Sequence, residues 1–245
     1  MNVDLAREKV RDDGWFLLPN GFAERFRVKC IDWLSSAAMR AQIDPTLEAE
    51  FEDVVDKYKP VRKLRRLFWN DLEFWSEILE LSGVFNLARQ LMSGKPALIY
   101  HASFLKPKLI GSSVGFHQDQ ALWSHEYPDA FNLWIALTHS NSLNGCIELF
   151  PRSHTLGKLS HTKDPKYRWH PVVSEATPGL RQLVKVPMNA GDIIIWHRYL
   201  VHGSGPNLSN EDRLSMVLVF ANPSHPGFTA KDVYTLPSGD GRISK

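Results

Sequence analysis

Cysteine is scarce in this chain. The two present, Cys30 and Cys146, lie far apart in no metal-type spacing, which argues against a disulfide framework or a cysteine-built zinc site and fits a reducing cytoplasm. Long apolar runs are missing too: none approaches the roughly 20 residues of a membrane-spanning helix. The opening residues Met1 to Lys9 are charged where a signal peptide would be apolar, so a soluble, unexported protein without a membrane partner is expected. Neither charge is in marked excess, with 29 Lys and Arg against 27 Asp and Glu, which argues against a dedicated nucleic-acid binder. No P-loop or Rossmann glycine fingerprint occurs. Gly203-Ser204-Gly205 lacks the form of a nucleophile elbow, so Ser204 is a poor nucleophile.

What is present divides the chain by its periodicity. A length of 245 residues fits one large domain spanning 1–245. Residues 1–95 read as mainly helical support: a short polar helix over 4–13, an apolar strand over 15–18, an amphipathic helix over 22–42, and helical spacing over 71–93 broken at Ser82-Gly83. Between them the acidic stretch 48–56 reads as an exposed connection. The basic run 57–66 reads as a buried edge of Val61, Leu64 and Phe68 with its charges facing water. From Ala97 the pattern alternates and turns recur, so 96–222 is expected to be a β core. Asn144-Gly145 has the form of a tight turn between strands. The long polar connection 153–179 reads as a lid over a site, and 223–245 as an irregular tail wrapping the core.

The chemistry-bearing stretch is Phe116-His117-Gln118-Asp119-Gln120. In an extended strand, residues i and i+2 leave the same face, so His117 and Asp119 can aim an imidazole and a carboxylate at one point. A second imidazole from a distant strand completes two His and one carboxylate, a ligand set typical of non-haem Fe(II) oxygenases. Both His197 and His202 are placed to supply it. Arg213 opens an apolar run of strand character, Arg213 to Phe220, that returns a guanidinium toward the same pocket, where it would grip a carboxylate through two parallel hydrogen bonds. His101 reads as a hydrogen-bonded structural histidine. The histidines of 153–179 match no metal-cluster spacing.

These motifs, with Asn144-Gly145-Cys146-Ile147-Glu148, Pro151-Arg152-Ser153-His154 and Ala190-Gly191-Asp192-Ile193-Ile194-Ile195-Trp196 in the same order, resemble the phytanoyl-CoA dioxygenase family of Fe(II)/2-oxoglutarate oxygenases. The resemblance implies a mainly β fold with flanking helices around a double-stranded β-helix, the jelly-roll, cupin-like core. It also implies Fe(II), 2-oxoglutarate and O2 as cofactor and co-substrates. It assigns the third ligand to His202, the histidine followed by Gly-Ser-Gly-Pro-Asn, and the 2-oxoglutarate contacts to Arg213, Ser204, Trp134 and Lys63. Lys106, Trp123 and Arg152 become candidate substrate contacts. Arg152, standing where the family has glycine, suggests with Arg168 and Lys106 a small polar or anionic substrate. Oxidative decarboxylation of 2-oxoglutarate coupled to hydroxylation of an unactivated C–H bond is the implied reaction. The carboxylate of Asp119 argues against the halogenating variant. A monomer or homodimer is expected. Two other classes stay open: a cupin-like Zn or Mn hydrolase or isomerase, which would not need Arg213, Ser204 or Trp134, and a non-catalytic binding module.

Overall fold

Strands buried on both faces read as continuous apolar runs, and three such strands, β6 (Phe131–Ala136), β9 (Ile193–His197) and β11 (Arg213–Ala221), form the centre of the molecule. The computed structural model describes residues 3–53, 57, 59–92, 95–123, 125–224 and 233–235. Its larger sheet runs β1 (Trp15–Leu18), β9, β6, β11, β4 (Ala97–Lys106), β3 (Val61–Arg65), β2 (Ala49–Phe51), with β12 (Tyr234–Thr235) also paired to β4. The smaller sheet runs β5 (Val114–His117), β10 (His202–Ser204), β7 (Ile147–Leu149), β8 (Val184–Val186), and all pairs in both sheets are antiparallel. From β4 to β7 successive strands alternate between the sheets, and from β9 to β11 they do so again. That winding is the double-stranded β-helix.

The outer face of the larger sheet is covered by helices. α2 (Glu24–Arg40) buries Phe26, Cys30, Leu34 and Ala37, one stripe at helical spacing. α4 (Leu72–Leu81) and α5 (Val84–Leu91), separated at Ser82-Gly83 as the spacing predicts, add Trp75, Ile78 and Phe85. These meet Leu133, Ile135, Ile195, Leu218 and Phe220 in one core. The inner face presents Trp134, Ile194, Trp196 and Val217 toward the small sheet. α1 (Val3–Asp12) and β1 match the sequence reading.

Several expectations are corrected. The acidic stretch is not a plain exposed connection: β2 pairs with β3, and the buried Glu52 carboxylate accepts from Ser112 N at 2.8 Å and its Oγ at 3.0 Å. In the basic run Val61, Leu64 and, on α3 (Leu67–Asn70), Phe68 are buried as expected, but so is Arg62, which is offset by Glu50 at 2.8 Å. An opposite charge at that distance offsets part of the cost of burying the guanidinium. His101 is structural yet makes no hydrogen bond; its ring stands edge-on to Trp75 at 4.7 Å, and burial lowers its pKa to about 3, keeping it neutral. Val54 to Asp56, Tyr58 and most of the 223–245 tail lie outside the described residues; within the tail, Tyr234 and Thr235 add a short strand.

Asn144-Gly145 is not a tight two-residue turn, because the connection from β6 to β7 crosses between sheets and takes residues 137–146. Of the pair, Gly145 alone takes positive φ, at 78°, and a Cβ there would collide with the Gly205 carbonyl. Gly145→Ala is therefore expected to destabilise the fold by about 1–3 kcal/mol, read as a lower midpoint in urea unfolding; an unchanged midpoint would show that the connection yields freely.

Candidate metal centre

β5 ends at His117, but Gln118 stays extended (φ −107°, ψ 130°) before a 3-10 turn, Asp119–Leu122, begins. The same-face geometry of His117 and Asp119 thus survives the end of the strand. His202 arrives directly opposite His117, its Cα partner across the β5–β10 pair. One ligand atom from each of His117, Asp119 and His202 lies within 4.8 Å of the others, and this is the one such cluster among the described residues. Each Nε2 stands 3.7 Å from an Asp119 oxygen.

The surroundings fix which atoms face inward. His117 Nδ1 lies 2.9 Å from the Gly115 carbonyl and His202 Nδ1 3.0 Å from the Leu200 carbonyl, so each Nδ1 carries the proton and each Nε2 presents a lone pair. Burial, reinforced by His117 and opposed by Asp119, lowers the His202 pKa to about 4. Burial alone would raise the Asp119 carboxyl, but His202, His117 and the Trp196 indole N–H, 2.7 Å from Oδ2, outweigh it and hold the group below the usual carboxylate range.

Below the three residues lies a cation without an anion. Arg213 is 2% exposed; Nη1 reaches Ser215 Oγ at 3.4 Å, Nε has no partner, and among the described residues no carboxylate is within ion-pair distance. Burial lowers its pKa to about 9, which leaves it charged at neutral pH. Its guanidinium carbon sits 5.4 Å from the Trp134 ring centre. Ser204, two residues after His202 on β10, and Lys63, 3.8 Å from Glu50, line the same cavity of about 680 Å³ as Arg213, Trp134 and the three ligating side chains.

The sequence model of the Phytanoyl-CoA dioxygenase (PhyH) family matches residues 11–215. The chain belongs to this family. It is 26% identical to the L-proline trans-4-hydroxylase of Streptomyces griseoviridis over 92% of this chain and 91% of that one. It is 29% identical to Phytanoyl-CoA dioxygenase 1 of Oryza sativa subsp. japonica over 56% of this chain and 49% of the other, so it spans about half the length of the rice relative. Among solved structures, AviO1 of Streptomyces viridochromogenes Tue57 superposes with a TM-score of 0.71 at 22% identity, covering 92% of this chain and 97% of that one. The alpha-ketoglutarate-dependent carbocyclase SnoK does so at 0.69 and 19%, covering 89% and 83%. Both likenesses concern the fold.

Iron and 2-oxoglutarate, the cofactor pair of the PhyH family, fit the residues present. Two neutral imidazoles and one carboxylate on one face suit Fe(II), and the orphaned guanidinium suits the far carboxylate of a dicarboxylic acid.

Other residues singled out in the sequence are dispersed in this PhyH-family chain. Trp123 lines the cavity, whereas Lys106 and Arg152 do not. Lys106 is neither solvent-exposed nor part of the cavity wall: it is buried and donates to the carbonyls of Ser112 (2.8 Å) and Gly205. Arg152 is exposed, with its backbone N–H on the Asp13 carbonyl at 2.9 Å, because the chain after β7 turns against the N-terminal segment. Arg168 pairs with Asp53 at 2.7 Å. Of the cations that suggested an anionic substrate, Lys106 and Arg168 are thus engaged elsewhere and Arg152 stays outside the cavity wall. His197 stands outside the cluster, its Nδ1 accepting from Tyr199 N at 3.1 Å.

Three features carry no sequence signal of their own. Trp196 supports Asp119 from a strand buried on both faces. Gln118, between two candidate ligands, receives a bond from Leu159 N at 2.8 Å and donates to the carbonyls of Gly157 (2.8 Å) and Tyr199 (2.9 Å), while its backbone N–H meets His161 Nε2 at 3.0 Å. His170, beside Trp169 and Pro171 in the cavity wall, lies 4.3 Å ring to ring from His117. Trp196→Phe keeps the ring but loses the bond to Asp119, so Fe(II) affinity should fall about 10- to 100-fold with unchanged circular dichroism. An anaerobic Fe(II) titration measures this; undiminished affinity would show that the bond does not orient the carboxylate.

Proposed function

We propose that this protein is a non-haem Fe(II)/2-oxoglutarate-dependent oxygenase that hydroxylates an unactivated C–H bond of a small molecule. The observation that carries the reading is the combination of three convergent ligand atoms with a buried, unpaired guanidinium in one cavity. A cupin-like hydrolase or isomerase would have no use for that guanidinium. The near full-length similarity to an L-proline trans-4-hydroxylase supports hydroxylation as the outcome.

Bound iron and 2-oxoglutarate supply the oxidising power: O2 is consumed, 2-oxoglutarate becomes succinate and CO2, and one oxygen atom enters the substrate. The chain's own residues do the rest. His117, Asp119 and His202 would hold the metal through two imidazole nitrogens and one carboxylate oxygen. Arg213 and Ser204 hold the far carboxylate, Trp134 packs beside it, and Lys63 adds a second cation. Trp123 forms part of the substrate wall. Residues 153–179 act as a lid, bringing Trp169, His170 and Pro171 over the cavity, so that water is excluded while the target C–H is held in line.

Asp119→Ala removes the anionic ligand, and substrate-stimulated succinate release should drop to background in an assay with Fe(II), 2-oxoglutarate and O2 across a panel of small molecules. Retained turnover in that variant would sink the ligand assignment. Arg213→Ala should raise the 2-oxoglutarate concentration for half-maximal rate roughly a hundredfold, as expected for losing a charge-assisted pair worth about 3 kcal/mol, while the Fe(II) requirement stays put. Equal changes in both would remove Arg213 from the carboxylate site.

A further inference from the structure

β3 brings two cations to the cavity that find no hydrogen-bonding anion among the described residues. Lys63 and Arg65 stand two residues apart on this strand, so their side chains leave the same face, and both line the cavity. The carboxylate that faces both is Glu50 on β2, and it is already committed: its Oε2 accepts from the buried Arg62 at 2.8 Å. Its Oε1 alone is left for Lys63 Nζ and Arg65 Nε, each 3.8 Å away and too far for a hydrogen bond. Arg65 also has Glu48 at 3.7 Å, but Glu48 lies outside the cavity wall and is shared with Arg66 at 3.5 Å.

Aromatic faces, not acceptors, surround the Lys63 ammonium, which sits 4.9 Å from the Phe104 ring centre and 5.7 Å from that of Tyr100. Neither group is sealed: 17% of the Lys63 side chain and 45% of the Arg65 side chain stay open. The charge of the whole cavity points the same way. Arg62, Lys63, Arg65 and Arg213 line it against two carboxylates, Glu50 and Asp119. Loading does not correct the excess, since Fe(II) and 2-oxoglutarate carry equal and opposite charge. Lys63 is the second cation of the function proposed above; Arg65 is the group that function leaves unused. It shares a row across the sheet with Ala102, Val217 and Trp134, three strands from Trp134 and so about 14 Å away at the usual strand spacing.

We propose that Lys63 and Arg65 form the subsite for an anionic oxygen group, a carboxylate or a phosphate, on the molecule that is oxidised, with Arg65 as the specificity-determining residue. Two donors on one face of a strand bracket such a group, and charge-assisted bonds to it are stronger than bonds to a neutral acceptor. Glu50 Oε1, near both, keeps the two side chains together without satisfying either. Tyr100 lies beside Lys63 and also packs on the apolar cluster of Tyr127, Ala130 and Val219, which takes the body of the molecule. A neutral analogue would fill the same space and leave the excess charge of the wall uncompensated.

This subsite rests on the oxygenase reading for its place in the reaction, and the test separates the two. Protein loaded with Fe(II) and 2-oxoglutarate without oxygen is titrated with 3-phenylpropionate, with 2-phenylethylphosphonate and with the neutral 3-phenylpropanamide. Binding is read from the fluorescence of the tryptophans around the cavity. At least one anion is expected to bind about tenfold more tightly than the amide, and which one does so tells carboxylate from phosphate. Arg65→Ala should cut that preference at least about threefold, Arg65→Glu abolish it and Arg65→Lys retain it. Amide affinity, and 2-oxoglutarate affinity read from its absorbance with iron, should stay unchanged in all three. Equal binding of anions and amide, no binding of either anion, or a preference that survives Arg65→Glu would overturn the inference. So would an equal loss of anion and amide binding in Arg65→Ala, which would make Arg65 a packing residue. The wild-type comparison needs no variant to fold. If wild-type protein shows no 2-oxoglutarate absorbance, the oxygenase reading fails; the probes are then compared on protein alone, where Arg213 is open to the anions too, and dependence on Arg65 decides the subsite.

Discussion

The pairing of β5 with β10 is the constraint on which the site depends. His202 faces His117 because the two are direct partners in that ladder, and a slip of one residue would turn His202 and Ser204 to the opposite face together. The register is held from both sides, since β10 also pairs with β7 through His202 and Leu149. It is not regular: Ser204 faces Val114, so β5 contributes one extra residue between the two pairs. Gly203 sits at this irregularity, where an added Cβ would lie 2.7 Å from the Val114 carbonyl oxygen and 3.0 Å from the Phe116 ring. A side chain at that position would push apart the strands that carry two of the three candidate ligands.

The cavity is organised by unequal treatment of its charges. Asp119 has one donor, the Trp196 indole, and two imidazoles whose Nε2 atoms lie 3.7 Å from its oxygens. Arg213 has a hydroxyl and an aromatic face, and no anion among the described residues. Burying a cation this way weakens the empty protein, since the desolvation cost is not offset within the chain. The same imbalance makes the site attractive to a small dicarboxylate, because the interaction gained on binding acts in a low-dielectric interior.

How much of this was legible depended on whether a residue's role was written locally. His117 and Asp119 were, because two ligands on one face need nothing beyond a period of two. The break between α4 and α5 and the buried stripe of α2 were equally local. His202 and Arg213 were not: His197 was an equal rival until the motif after His202 was matched to a family pattern. Trp196 escaped because nearly all of β9 is buried on both faces, which erases the alternation that would tell inward from outward. Lys106 was misread for a different reason. Lysines are seldom buried, and one of the carbonyls that hold this one belongs to Gly205, about a hundred residues away in sequence.

Gln118 makes the ligand-bearing strand and residues 157–161 one piece. Its backbone and its carboxamide are fastened to Gly157, Leu159 and His161, while the residues on either side of it point at the metal position. Transplanting His117, Asp119 and His202 onto another barrel would therefore not reproduce this centre. The smallest portable unit includes residues 157–161, and any natural relative that remodels that stretch must re-anchor the backbone between its own first two ligands.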